Sequence, residues 1–277
     1  MVHQHGAGQP GALALIVAGV ALCAGVAYGW AAARLRRRGD RWPPLRDLWC
    51  AAGSAVVVTA ALFPFPGGPF TAHMAQHLAT GMVAPLLLVL GRPLTLALRS
   101  LRSLPPGGRR RLLALLRSRP LSALANPLVA AVLDAGGLWL LYRTPLFALA
   151  HERPWLGCLV HAHVLAAGVL FSAVVCSLDP LPRHGMAVRS AALVGAGAAH
   201  SVLSRTLYAA APPGTGFAAG DLSAAAELMY YGGDLVEIAL AVVVGLQWYA
   251  ASGRRLAREN RRGATDRRPS ASAPYRQ

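Results

Sequence analysis

His73 and His77 lie four residues apart in the run Phe70-Thr-Ala-His-Met-Ala-Gln-His-Leu, which opens an apolar stretch long enough to cross a bilayer. On a helix, positions i and i+4 share a face, so both imidazoles can point at one object. Neutral imidazole is a ligand for copper and zinc. Charged side chains at the centre of a membrane cost roughly 2.5 kcal/mol or more, so ionisable residues persist there where they have a partner or a task. The pair reads in two ways. It is half of a four-coordinate metal shell, or it is a pair of interfacial histidines hydrogen-bonded to neighbouring helices.

A third ligand would have to come from another helix. His161 is a candidate; it shares a helical face with Cys158, three residues earlier, whereas His163 points elsewhere. His200 lies near the end of another apolar run. Glu227, Tyr230, Asp234 and Glu237 follow i, i+3, i+7, i+10 and form one stripe, which must face a bundle interior or water. The expected partner for Asp234 and Glu237 is Arg205 or a helix-packing donor. Met74, Met82 and Met229 read as core filler, and His151 and His184 as loop residues. Cys23, Cys50, Cys158 and Cys176 form no C-x-x-C pair and read as small buried apolar residues.

The elements that position these groups are apolar runs. The chain of 277 residues is 55% hydrophobic and only 14% charged, and whole stretches of about 20 residues lack charge. The expected fold is an all-α polytopic membrane bundle of seven spans, at about 11–33, 47–63, 70–90, 124–142, 155–177, 187–208 and 226–250. A basic amphipathic segment at 94–119 is expected along the inner membrane surface. Residues 1–10 are expected as an outer tail, and 253–277 as a disordered Arg-rich cytoplasmic tail.

The net charge of +16 comes from arginine, with no lysine in the chain. The arginines cluster between the apolar runs, in every other loop, which is the positive-inside pattern and argues against a nucleic-acid partner. That alternation places the N-terminus outside and the C-terminus in the cytoplasm. The histidines of the third, fifth and sixth spans and the start of the seventh then share one outer layer. No G-x-S-x-G, phosphate loop, H-E-x-x-H or dinucleotide fingerprint appears, so the expectation is a protein that is not an enzyme.

The motif Phe70-Thr-Ala-His-Met-Ala-Gln-His, followed by Pro85-Leu-Leu-Leu-Val-Leu-Gly-Arg-Pro-Leu-Thr-Leu, resembles the CtaG-like family of cytochrome c oxidase assembly factors. Looser matches follow in order: Leu141-Tyr-Arg-Thr-Pro-Leu-Phe, the stretch from His161 to Phe171, and Asp221 through Leu228-Met-Tyr-Tyr-Gly-Gly. The resemblance covers about residues 45–250. It implies a multi-pass protein of the prokaryotic plasma membrane that works with oxidase subunits within the lipid bilayer, with a suspected part in supplying copper. Self-association into a homo-oligomer stays open. Carried over residue by residue, the candidate metal ligands are His73, His77, His161 and Asp221. The chain departs from the family at Arg143, where many relatives have His, and at Gly232, where Pro is common. A copper or small-solute transporter and a haem-binding membrane protein are the rival readings.

Overall fold

The computed structural model describes residues 11–101 and 106–266, and every regular element among them is helical. The expected outer tail 1–10 and residues 267–277 lie outside the described residues.

The long helices are α1 (Ala12–Arg37), α2 (Pro44–Leu62), a continuous rod made of α3 (Pro69–Leu78), a π-helical turn (Ala79–Val83) and α4 (Ala84–Leu90), then α10 (Pro154–Cys176), α11 (Met186–Ala209) and α12 (Ala219–Asp266). Among the described residues, six helices are long and apolar enough to cross a membrane by length and composition, the last of them over Ala219–Arg255. The expected fourth span is α8 (Pro127–Arg143), 17 residues long. That gives it a length of about 26 Å, at the lower end of what crosses hydrocarbon. Expected segment 94–119 is several pieces: α5 (Pro93–Ser100), α6 (Pro106–Leu116) and the start of α7 (Arg119–Leu124). The short α9 (Leu146–Glu152) precedes α10. The helix α12 continues to Asp266, well into the segment expected as a disordered tail.

Prolines set the helix starts: α2, α3, α5, α8 and α10 each begin at one. A first-turn proline loses nothing, because the first-turn N–H groups have no intrahelical acceptor. Pro85 acts differently, because it stands inside the third rod. It has no N–H for the carbonyl of Gly81, and the backbone widens there into the π-turn. Helix α10 closes on that freed carbonyl through Gly168, where a Cβ would collide with the oxygen of Gly81. In hydrocarbon, where helix association gains little from the hydrophobic effect, such backbone-close glycine contacts carry packing.

The rod of α3 and α4 runs through the bundle, with α2 against α4, α12 against α3, and α10 against α4 and the π-turn. Helix α8 packs on α10 and α11, and α1 lies outermost against α2 and α5. Outward faces are apolar: Val20 and Val26 on α1 and Leu235, Ile238 and Leu246 on α12 are each at least 60% exposed. An apolar coat of this extent suits hydrocarbon rather than water. At the arginine-rich end, the Tyr28 hydroxyl donates to Gly91 O at 2.6 Å, Arg36 pairs with Asp47, and Arg99 reaches Asp40 at 2.9 Å. Buried Arg189 donates to Val175 O at 2.7 Å and to Gln247, whose amide in turn donates to Cys176 O at 2.6 Å. These bonds satisfy the last carbonyls of α10 and tie three helices together.

Candidate functional site

His73 and His77 do share the inner face of α3, but their rings serve different neighbourhoods. His73 Nε2 is 3.0 Å from the Tyr142 hydroxyl, with its ring parallel to Phe70 and edge-on to Phe147. His151 closes this aromatic box, 5.8 Å from His73 between ring centres, and its Nδ1 is held 2.8 Å from Phe147 O. His77 lies one turn deeper. Tyr142 stands edge-on to both imidazoles, and beyond it the ring of His77 faces that of His200 of α11, 6.4 Å away between centres.

His77 and His200 border a small chamber of about 20 Å³ together with Met82, Asp134, Ser172 and Glu237. Glu237 Oε1 lies 3.6 Å from His200 Nδ1. His77 and His200 are 6% and 4% exposed, yet His77 Nε2 and both nitrogens of His200 have no hydrogen-bond partner among the described residues. Buried polar atoms are nearly always partnered, so these orphans single the chamber out. No arginine lines it, although the chain has 27.

Glycines make the room. A Cβ on Gly233 would run into the His200 ring, and one on Gly197 into the carboxylate of Glu237. A Cβ on Gly81 would meet His77 Cε1 at 3.2 Å and Nδ1 at 3.3 Å. The chamber is therefore shaped by the backbone. His77 is eight residues into α3, about 12 Å along the rod from its start.

The other residues singled out in the sequence go elsewhere. Asp221 turns to the N-terminus of α3: its carboxylate accepts from Phe70 N and Thr71 N, both at 2.9 Å, and from the Thr71 hydroxyl at 2.6 Å. His161 Nδ1 is 2.8 Å from Gly157 O on an exposed face, bordering an apolar groove between α1 and α10 together with Cys158. His163 Nε2 ties α10 to α8 through Leu133 O at 3.1 Å. Arg205 donates to the Tyr230 hydroxyl at 3.3 Å rather than to Asp234 or Glu237. Asp221 is thus engaged at the start of α3, while His161 stands near enough to His73 and His77 to interact electrostatically with both. No three His, Cys, Asp or Glu side chains among the described residues stand close enough together to hold a metal ion as placed.

Sequence reasoning picked out His77 with His73, Glu237 in a stripe with Asp234, and His200 alone; it met Gly233 only within a motif and passed over Asp134 and Gly197. A lone acid in the middle of an apolar span was the available signal for Asp134. Nothing local marks the two glycines.

Comparison with known proteins places this geometry in a family. The chain is 40% identical over 174 residues to an uncharacterized protein of Mycobacterium bovis and to one of Mycobacterium tuberculosis. It is 32% identical over 176 residues to an uncharacterized protein of Mycobacterium leprae. These matches cover 60 or 61% of this chain but 26 or 27% of each relative, so the chain spans about a quarter of the curated relatives it matches. No solved structure matches it. Residues 26–251, from the second half of α1 through the long span of α12, match the model of the cytochrome c oxidase caa3 assembly factor family, and the chain belongs to that family.

Proposed function

We propose that this protein is a seven-span factor of the prokaryotic plasma membrane, N-terminus outside and C-terminus cytoplasmic, that assists assembly of cytochrome c oxidase by holding copper for it. One observation carries the reading: the family match runs over the whole bundle, and the helices it covers enclose a buried chamber of imidazole, carboxylate and thioether groups. The orientation rests on the alternation of arginine-rich and arginine-poor loops.

A second reading is favoured by the π-turn. Transporters place their sites near the bilayer midplane beside interrupted helices, and the π-turn interrupts the third rod beside His77. A transporter would move copper rather than hand it over. The haem-binding alternative meets a size limit, since about 20 Å³ between the facing imidazoles admits one water-sized group and not a macrocycle.

Deleting the gene tests the proposal. The expected result is less assembled, copper-loaded cytochrome c oxidase with haem synthesis intact, and only partial rescue by excess copper in the medium. Full rescue by copper selects the transporter. Normal oxidase levels and activity in the deletion strain, under conditions where the oxidase is expressed, remove the assembly reading.

A further inference from the structure

We propose that the chamber bordered by His77, His200 and Glu237, with Asp134 beside it, is a seat for a single transition-metal cation of the soft-to-borderline class. The inference deepens the copper reading above and rests on it only for the choice of copper as first probe.

Charge is the first consideration. Asp134 and Glu237 both line the void, and among the described residues neither an arginine nor any other fixed cation lines it. Carboxylates placed in hydrocarbon need a compensating positive charge or a proton. The one basic contact is His200 Nδ1, 3.6 Å from Glu237 Oε1. A bound cation supplies the compensation for both acids at once.

Shape is the second. About 20 Å³ holds one water or one ion and nothing larger. An ion bonded at about 2 Å to one nitrogen of each imidazole, and lying nearly in line between them, sets the ring centres a little over 6 Å apart. His77 and His200 stand at 6.4 Å. Glu237 already approaches His200, so a short movement of its carboxylate brings a third ligand to the ion.

Donor chemistry is the third. Imidazole suits copper, zinc, iron and nickel, whereas magnesium and calcium want oxygen alone. Met82 adds a thioether to the lining, which shifts the preference towards copper. His77 Nε2 and both nitrogens of His200 lack hydrogen-bond partners in two nearly fully buried rings, which leaves one free donor on each ring for the ion. Gly197 and Gly233 fit as well: each backbone yields space to one ligand side chain, and a methyl group at either position would displace it.

The test is metal retention by the full chain purified in detergent. The protein is loaded with Cu(I) under reductant, or separately with Zn(II), then dialysed and analysed for metal per chain. Wild type is expected to keep about one ion, with an X-ray absorption spectrum showing nitrogen neighbours of imidazole type. His200→Gln and Glu237→Gln should each weaken retention at least tenfold, and Gly233→Ala should do so without removing any ligand. His73→Phe should retain the ion as wild type does. Elution volume and thermal unfolding of each variant report that the bundle is intact; should His200→Gln not fold, Gly233→Ala and Glu237→Gln decide the same question. Wild-type protein that retains no ion overturns the proposal. Retention lost in His73→Phe but kept in His200→Gln and Glu237→Gln also overturns it and returns the site to the outer pair. A chain that binds the ion while its deletion strain builds normal oxidase keeps the seat and loses the assembly reading. A deletion defect with no ion bound does the reverse.

Discussion

Asp179 and Asp221 do the same job at two different helix starts. Asp221 accepts from the backbone N–H groups of Phe70 and Thr71 and from the Thr71 hydroxyl; Asp179 accepts from those of Leu94, at 3.2 Å, and Thr95, at 2.9 Å, and from the Thr95 hydroxyl, at 2.6 Å. Both helices begin Pro-X-Thr, in Pro69-Phe-Thr and Pro93-Leu-Thr. In each case a carboxylate from far along the chain satisfies N–H groups that no intrahelical carbonyl can reach, and its charge complements the positive end of the helix.

Removing either cap should therefore cost stability and not metal. Replacing a capping carboxylate by alanine typically loses about 1 kcal/mol. Asp221→Ala and Asp179→Ala are each expected to lower the thermal midpoint in detergent, with Thr71→Val and Thr95→Val lowering it less. An unchanged midpoint in Asp221→Ala contradicts the capping role.

Gly168 tolerates nothing larger. Its Cβ would strike the backbone oxygen of Gly81, and backbone cannot swing aside as a side chain does. Gly168→Val is expected to cost several kcal/mol, as overpacking of a close contact does, and to reduce the amount of folded protein in the membrane. Gly195→Val, at an open position on α11, is the matched control. Equal yields of the two variants would count against the close approach.

His163 is a tie between helices. Its bond to Leu133 O joins α10 to α8, and the net worth of such a bond is about 1 kcal/mol. His163→Ala should lower the thermal midpoint modestly while oxidase assembly in cells stays at the wild-type level. A loss of assembled oxidase at full protein level would instead give His163 a functional part.

Topology can be read with reporter fusions. Fusions at Pro66, Arg110 and Thr215 are expected to report outside, inside and outside. The first and third lie in arginine-poor loops and the second in an arginine-rich one. A reversed pattern inverts the bundle.

The long helices were legible because runs without charge and the prolines and arginines between them act locally. The short α9 and the separate pieces α5, α6 and α7 were not, since their ends depend on what they pack against. The site was half legible. Helical spacing told that His73 and His77 share a face, and that Asp234 and Glu237 share another. It could not tell that Tyr142 would stand between the two histidines, or that Asp221 would be spent on the start of α3, because those facts belong to the neighbouring helices. The chamber is the meeting of separate segments of the chain, and its room is made by glycines whose meaning appears only when α11 and α12 are side by side.

The π-turn at Ala79–Val83 also sets a phase. One extra residue in a turn offsets everything after it by about 100° relative to a regular helix. Phe70, Met74 and His77 before the turn, Gly81 within it, and Ala84, Pro85 and Val89 after it are all buried, so one inward stripe runs through the turn. The first half of the rod holds the imidazoles, and the second packs against α2 and α10. A one-residue deletion in this turn would leave the composition and length of the span nearly untouched while rotating His77 out of step with the helices that frame it. In such a span, residue count specifies aim as well as reach.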